Sequence, residues 1–245
     1  MERRESRLSL GVDGCRGGWF AVTLSENAAA RWEMHSSFDA LMETCGEEAL
    51  ILIDIPIGLP GSEPRRCDYL ARRLLGGRRG SSVFPVPCRQ AVYAASFEEA
   101  NSLNCRVLGR GVPIQAWNIC KRMQEVDEHL RKRVCGRAQV RESHPELCFL
   151  SLGGEAVVSR SKKTAGGIHD RLELLQQQYE RADMVYRSAL RDFRRRDLGS
   201  DDILDALVLA LTAHLFRHRL VSVPPEGQID EHGLPMEIVY PDTTS

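Results

Sequence analysis

Acidic residues in apolar surroundings are the strongest chemical signal in the sequence. Asp13 closes the first apolar segment, and Asp54 lies inside the most apolar run of the chain, residues 49–57. An aspartate is disfavoured in a central strand, and its buried charge needs a cation, an arginine or backbone amides as a partner. Glu142 ends a further short segment of strand character. We therefore treat Asp13, Asp54 and Glu142 as candidate catalytic residues.

Two more aspartates begin a long apolar segment near the C-terminus. Asp202 and Asp205 share one face of the helix that this segment predicts, and Asp201 lies one turn before Asp205. Like charges at these spacings repel each other. A repulsive stack that leads into an apolar helix predicts a cation or a basic side chain against it. Asp202 and Asp205 therefore join the candidate catalytic residues.

Carboxylates from separate strands and one helix are the ligands that a magnesium site uses. Mg²⁺ prefers oxygen ligands, and it is held by a few carboxylates together with water and substrate phosphates. Two such ions about 4 Å apart activate water and stabilise the leaving oxygen of a phosphodiester. We expect Asp13, Asp54 and Asp205 to hold Mg²⁺ or Mn²⁺, Asp202 to complete the site, and Glu142 to act as an outer ligand or base.

Basic residues near these acids are candidates for contacting a phosphate-containing substrate. They are Arg16 in a glycine-rich turn, Arg89, Lys163 beside Lys162, and His144, which could also orient Glu142 or a water. Arg89 belongs to an arginine cluster that suits phosphate contacts, made up of Arg65, Arg66, Arg72, Arg73, Arg78, Arg79 and Arg89. A solvated helix face explains the arginine cluster equally well, and an exposed loop explains the two lysines.

The apolar periodicity predicts the elements that must position these residues. Strands are predicted over 8–13, 19–24, around 31–35, within 49–57 and over 138–142. Helices are predicted over 37–48, 64–75, 114–133, 168–178, 183–195 and 201–218, the last with Ser200 as its N-cap. The order predicts an α/β fold with a ribonuclease-H-like mixed sheet, antiparallel in its first three strands and then parallel, with helices on both faces. We expect one domain over 1–245 with an insertion at about 58–111, although element order alone leaves other α/β folds open.

Several motifs in order resemble one family. They resemble the domain-of-unknown-function 429 family, described as predicted ribonuclease-H-like nucleases, over about residues 8 to 216. The motifs are Gly11-Val-Asp-Gly-Cys-Arg-Gly-Gly-Trp19, Ile53-Asp-Ile-Pro-Ile-Gly-Leu-Pro60, Ser81-Ser-Val-Phe-Pro-Val-Pro87, Gln115-Ala-Trp-Asn-Ile119 with Glu125-Val-Asp127, Glu142-Ser-His-Pro-Glu146, Lys162-Lys163 and Asp201-Asp-Ile-Leu-Asp-Ala206. The resemblance implies a ribonuclease-H-like fold.

The closing motif is also similar to the last motif of RuvC-type Holliday junction resolvases. Those proteins combine an aspartate on the first strand, an acid after the fourth strand and two aspartates on the final helix. The resemblance implies these roles for Asp13, Asp54, Asp202 and Asp205. Glu142 has no matching position in that set, and the segment 58–111 departs from compact resolvases.

Composition narrows the class of protein. The 245 residues are 42% hydrophobic and 27% charged, with 33 basic and 34 acidic side chains, which excludes a disordered chain and a uniformly basic surface. Arginine supplies all but four of the basic side chains, which suits phosphate binding but also follows from genomic base composition. No apolar stretch reaches the length of a membrane span, and the charged N-terminal residues do not resemble a secretion signal. We expect a cytoplasmic protein with reduced cysteines and no membrane partner, and the oligomeric state stays open, with a homodimer as one option.

The leading functional hypothesis is a metal-dependent nuclease that acts on DNA or RNA. Two alternatives stay open. The glycine-rich residues 14–18 also suit a nucleotide-binding phosphotransferase of the actin and sugar-kinase type. The third hypothesis is a non-catalytic module that binds nucleic acid or protein, which acids paired to basic side chains would favour.

Overall fold

The structure is a computed structural model that describes residues 7–26, 29–46, 48–77, 79–132 and 140–244. The chain divides into two compact units. The first, here called the sheet unit, comprises Met1–Asp54, Ala138–Leu220 and Tyr240–Ser245. The second unit comprises Ile55–Arg137 and Val221–Val239, and it includes the segment 58–111. Whether that segment is an insertion into one domain stays a prediction.

Strands and helices alternate along the described residues. The strands are β1 Ser9–Cys15, β2 Gly18–Leu24, β3 Arg31–His35, β4 Leu50–Ile53, β5 Val140–Glu142, β6 Leu220–Val223 and β7 Ile238–Pro241. The helices are α1 Phe38–Glu43, α2 Arg66–Leu75, α3 Arg89–Val92, α4 Phe97–Leu108, α5 Ile114–Asn118, α6 Cys120–Lys132, α7 Pro145–Ser159, α8 Ala165–Gln178, α9 Ala182–Asp192 and α10 Ser200–Leu215.

The main sheet has the strand order β3-β2-β1-β4-β5. β1 and β2 form an antiparallel hairpin, β2 and β3 are also antiparallel, and β1-β4 and β4-β5 are parallel. The predicted mixed sheet is therefore confirmed, and the arrangement is consistent with a ribonuclease-H-like fold. β6 and β7 pair in a separate two-stranded sheet.

Helices cover the main sheet on both faces. Neighbouring residues of a strand point to opposite faces, and in β2 both are buried aromatics. Trp19 packs edge-on against Phe38 of α1 at a ring-centroid distance of 5.4 Å. Phe20 packs edge-on against Phe193, the residue after α9, at 5.7 Å. Both faces of β2 are thus closed by aromatic contacts, as the predicted fold requires.

Helix α10 packs directly on β1 because Gly11 has no side chain. A Cβ atom added to Gly11 would lie 2.0 Å from the carbonyl oxygen of Ala206 and 2.1 Å from the amide nitrogen of Ala210. The helix is apolar nearly all round, and its residues from Ile203 to Ala213 are buried. The apolar sequence of this helix therefore reflects a central position against the sheet.

Several predicted helices end earlier than the periodicity indicates. α1 stops at Glu43, because the amides of Thr44 and Cys45 turn back to Leu41 and Met42. α9 stops at Asp192, because Phe193 adopts an extended backbone and packs its ring on the sheet. α10 ends at Leu215 rather than residue 218.

Other differences concern breaks and starts. The predicted helix 114–133 is broken, because the amide of Ile119 bonds to the carbonyl of Ala116 and ends α5. Residue 133 and the first two residues of the strand predicted over 138–142 lie outside the described residues. The N-cap of α10 is Gly199 rather than Ser200, since the Asp202 carboxylate accepts the Gly199 amide. Helix α4 has no counterpart among the predicted helices, and it packs over a small core of alanines, valine and cysteine in the second unit.

The described residues bear on two further features of the chain, membrane-spanning helices and disulfide bonds. None of the helices in the described ranges has the length and apolarity needed to cross a membrane. The cysteines at 15, 45, 67, 88, 105, 120 and 148 form no disulfide with each other, and Cys135 lies outside the described residues.

Gly11→Ala is expected to lower the free energy of unfolding by about 3 kcal/mol or more, because backbone atoms of α10 cannot yield as a side chain can. Chemical denaturation followed by circular dichroism measures the change. Gly46→Ala is the control, since a Cβ there meets nothing within 4 Å, and it should change stability by less than about 0.5 kcal/mol. Equal stability of the two variants would contradict the close contact between β1 and α10.

Candidate carboxylate site

Asp13 and Asp54 lie side by side at one edge of the main sheet. β1 and β4 are parallel with Val12 paired to Ile53, and the Asp54 amide donates to the Val12 carbonyl at 3.0 Å. Asp13 follows Val12 within β1, which runs two residues further than predicted. The register gives both aspartates the same face of the sheet, which is also the face of Gly11 and α10. Asp13 is buried and Asp54 is half-buried.

Helix α10 brings two further carboxylates to this edge. The Asp202 carboxylate accepts a hydrogen bond from the Gly199 amide at 2.9 Å, so it also caps its own helix. Asp205 lies one turn deeper and is 2% exposed. The charges of Asp54, Asp205 and Asp202 all act on Asp13, so the four carboxylates lie in one neighbourhood.

Lys162 supplies positive charge to the cluster. It lies in the loop between α7 and α8, and its ammonium group forms an ion pair with Oδ2 of Asp205. The lysine side chain is 27% exposed, whereas that of Asp205 is 2% exposed. Lys162 also interacts with the charges of Asp13 and Asp54. The acidic stack predicted from the sequence therefore does have a basic side chain against it.

Burial and mutual repulsion shift the titration of the cluster. Burial raises the pKa of Asp13 well above its ordinary value, and the charges of Asp54, Asp205 and Asp202 raise it further. Burial is also the main cause that raises the pKa of Asp54 to about 6 and that of Asp205 to about 7, against the effect of Lys162. For Lys162, burial lowers the pKa, but Asp205, Asp13 and Asp54 outweigh burial and raise it. The lysine therefore stays charged, and the acids hold protons more tightly than usual.

A buried arginine fixes the loop that carries Lys162. Arg171 of α8 is fully buried, and it donates to both carboxylate oxygens of Glu146 at 2.8 and 2.9 Å. The same guanidinium donates to the Arg160 carbonyl at 3.1 Å, at the start of the loop. At the next residue, a Cβ on Gly167 of α8 would lie 2.0 Å from the Ser161 carbonyl oxygen. The first two residues of the loop are therefore held against α8.

The donor chemistry of the cluster fits a hard divalent cation. All its acidic donors are carboxylate oxygens, and no described residue donates a hydrogen bond to the buried Oδ1 of Asp205. The present side-chain positions instead serve the ammonium group, since no group of three or more His, Cys, Asp or Glu within the described ranges is arranged to hold a metal ion. Asp13, Asp54 and Asp205 are the residues that could hold Mg²⁺ or Mn²⁺ if Lys162 gave way.

Glu142 and His144 lie at the end of β5, beside β4. Glu142 is buried and pairs in register with Ile53, and the Ser143 amide donates to the Ile53 carbonyl at 3.0 Å. His144 is the N-cap residue of α7, and its carbonyl accepts the amides of Leu147 and Cys148. Both candidates therefore neighbour the edge that carries Asp54.

The predicted phosphate contacts are dispersed. Arg16 is exposed in the hairpin turn just beyond Asp13, and Lys163 is exposed beside Lys162. Arg89 lies in the second unit, where its guanidinium faces Asp127 and Asp230 at 2.6 Å each and Glu231 at 2.9 Å.

Most of the arginine cluster lies in the second unit in mixed surroundings. Arg66, Arg72 and Arg73 are exposed, and Arg79 is half-buried. Arg65 is 1% exposed and lies 3.4 Å from Asp68. Arg78 lies outside the described residues. The described arginines of this cluster, Arg65 and Arg89 included, therefore do not form a continuous phosphate-binding face.

The sequence prediction chose Lys163 rather than its neighbour Lys162 as a site residue, and it did not include the contribution of Glu146 to the charge of the site. Glu146 adds repulsion that raises the pKa of Asp54 and of Asp205, after the larger effects of burial and Lys162. The sequence signal available for Glu146 was its position directly after Pro145 and four residues beyond the predicted acid Glu142. For Lys162 the signal was its place in a chain with four lysines, but the sequence does not distinguish it from Lys163.

A known family matches most of the chain. A family model described as "Protein of unknown function (DUF429)" matches residues 11–228. Searches of curated proteins and of solved structures found no match.

The contribution of Asp54 and Asp205 to the stability of the chain should fall as the pH rises from about 4 to about 7. In this window the folded chain still holds protons on Asp54 and Asp205, whose pKa values are about 6 and about 7, while the unfolded chain releases them near 3.8. Asp54→Asn mimics the protonated state, so it should match the wild type near pH 4 and be more stable than it near pH 8. Urea denaturation in EDTA across this range measures the difference. The exposed Glu43→Gln is the control and should keep the wild-type pH dependence, and a pH-independent effect of Asp54→Asn would contradict the shift.

Arg171→Met should destabilise the chain by about 3–5 kcal/mol, because it leaves the carboxylate of Glu146 buried without its guanidinium. Arg187→Met is the matched control, since Arg187 binds Asp183 at 2.7 Å in the same way, with its side chain 73% exposed. We expect that control to cost less than about 1 kcal/mol. Thermal and urea denaturation measure both, and similar losses would contradict the greater cost of breaking the buried pair with Glu146.

Proposed function

Because the chain belongs to the family described as "Protein of unknown function (DUF429)", whose description assigns no activity, we propose its function from the carboxylate site. We propose that the protein hydrolyses phosphodiester bonds of nucleic acid with the help of Mg²⁺ or Mn²⁺. The observation that carries this proposal is that β1, β4 and α10 meet at one edge of the sheet, with Asp13, Asp54 and Asp205 at that edge and Lys162 paired with Asp205.

An excess of buried carboxylates supports a cation-dependent reaction. Charged groups are costly to bury unless they are paired, yet the buried Asp13 and Asp205 and the half-buried Asp54 share the ammonium group of Lys162. A fold that only needed stability would replace such acids with apolar or amide side chains. The retained charge is therefore better explained by a ligand of opposite charge.

The proposed roles follow from where each side chain lies. Asp13, Asp54 and Asp205 would hold the cation, which when bound supplies the charge that activates water and stabilises a leaving oxygen. Asp202 fixes the start of α10 through the Gly199 amide and adds negative charge. Glu142 remains the proposed outer ligand or base, because it is buried at the end of β5.

Positive side chains around this edge support a phosphate-containing substrate. Lys162 lies at the acids, Lys163 is exposed next to it, and Arg16 is exposed in the turn after β1. His144 lies beside Glu142. We propose nucleic acid, DNA or RNA, as the partner, and the cytoplasm as the location.

A second candidate is a non-catalytic binding module. The ion pair between Lys162 and Asp205 favours it, because a paired acid is less available to a cation. The phosphotransferase alternative has no comparable support, and ATP-dependent thermal stabilisation would be needed to revive it.

An assay of the purified full chain distinguishes a nuclease from a binding module. Single-stranded, duplex, hybrid and junction substrates are incubated with Mg²⁺, Mn²⁺ or EDTA, and cleavage is followed on denaturing gels. We expect metal-dependent cleavage of at least one substrate, reduced roughly 100-fold or more in Asp54→Asn and Asp205→Asn.

Asp201→Asn is the matched control in the first turn of α10, and it should cleave at the wild-type rate. Binding of a substrate without cleavage by any metal form would favour the binding module. Cleavage that survives in both Asp54→Asn and Asp205→Asn would place the activity elsewhere.

A further inference from the structure

The position of Lys162 suggests how the carboxylate site is kept without metal. We infer that the Lys162 ammonium is an exchangeable internal cation, which occupies the carboxylates in the metal-free chain and is displaced when a divalent cation binds. The inference rests on the proposed function, because it concerns metal binding at the same carboxylates.

The first support is the geometry of Asp205. One carboxylate oxygen, Oδ2, is bound by the Lys162 ammonium, while the other, Oδ1, is buried and accepts no hydrogen bond from any described residue. A single ammonium therefore satisfies only part of this carboxylate. A cation with several coordination positions could also use the oxygen that the lysine leaves unsatisfied.

The second support is the charge of the surroundings. Asp13 and Asp54 interact with the same ammonium, so one positive charge balances several negative ones. A divalent ion would neutralise the cluster better than Lys162 does. If both cations occupied the cluster together, they would repel each other, so binding of one must oppose binding of the other.

The third support is the way the lysine is attached. Its loop is fixed at Arg160 by Arg171 and at Ser161 by the contact with Gly167. The side chain itself is 27% exposed and has a flexible stem, so it can turn towards solvent while the loop stays in place. Displacement therefore requires a side-chain rotation and leaves the packed elements unchanged.

Metal titration tests the competition directly. Mn²⁺ binding to the full-length wild type, Lys162→Met and Lys163→Met is measured by isothermal titration calorimetry. If the lysine occupies the acids in at least nine of ten metal-free molecules, its removal should tighten Mn²⁺ binding about tenfold or more. Lys163→Met removes the same charge from the exposed neighbour, and it should bind Mn²⁺ as the wild type does, apart from a small long-range effect.

Lysine labelling provides a test on the unmutated chain. The sequence has four lysines, so an amine-specific reagent and peptide mass spectrometry can follow each of them. Lys162 should react slowly without metal, because its ion-paired ammonium resists the reagent, and several-fold faster with saturating Mn²⁺. Lys163 is the internal control and should react at the same rate in both conditions.

The outcomes separate this inference from the proposed function. Equal Mn²⁺ affinity of Lys162→Met and wild type, or faster labelling of Lys162 without metal, overturns the exchange while metal-dependent cleavage can still stand. Absence of Mn²⁺ binding in all three proteins overturns both. Circular dichroism of Lys162→Met confirms that it is folded, and if it is not, the labelling of the wild type decides.

Discussion

The contact between the backbones of β1 and α10 is the constraint on which the rest of the sheet unit depends. Gly11 leaves no space for a side chain, so the helix lies directly on the central strand. That contact determines how closely Asp205 approaches Asp13. The parallel pairing of β1 with β4 then places Asp54 beside Asp13. The missing Cβ of Gly11 thus accounts for the approach of Asp205 to Asp13, and the strand pairing accounts for Asp54.

The acids of the site lower the stability of the folded sheet unit when they ionise. Burial and repulsion favour the protonated carboxyl groups of Asp54 and Asp205, so the folded chain gives up stability as it ionises. Lys162 offsets part of that loss, and the second buried pair, Arg171 with Glu146, holds its loop. Stability and the proposed activity therefore oppose each other at the same atoms, as is common at functional sites.

Local patterns were enough to predict the sheet and its acids. Alternating apolar residues and a glycine-rich turn indicate the β1-β2 hairpin, and a repulsive aspartate stack indicates a basic or metal partner. The partners themselves depend on tertiary contacts. Nothing in the sequence shows that Arg89 would be surrounded by three carboxylates within the second unit, or that Lys162 rather than Lys163 would point at Asp205. Helix ends were missed for a related reason, since Phe193 leaves α9 to pack on the distant Phe20.

Lys162 and Arg171 differ in the kind of ion pair that each of them forms. Most basic side chains of this chain are arginines, yet the one against Asp205 is a lysine. At Arg171, Nη2 donates to both oxygens of the buried Glu146 carboxylate, while Nη1 donates to the carbonyls of Arg160 and Gly167. The Lys162 ammonium is a compact charge on a flexible stem, so it can leave Asp205 by rotation of its side chain. The same short region of the fold thus contains one basic side chain in a fixed ion pair and another in an ion pair that can be exchanged.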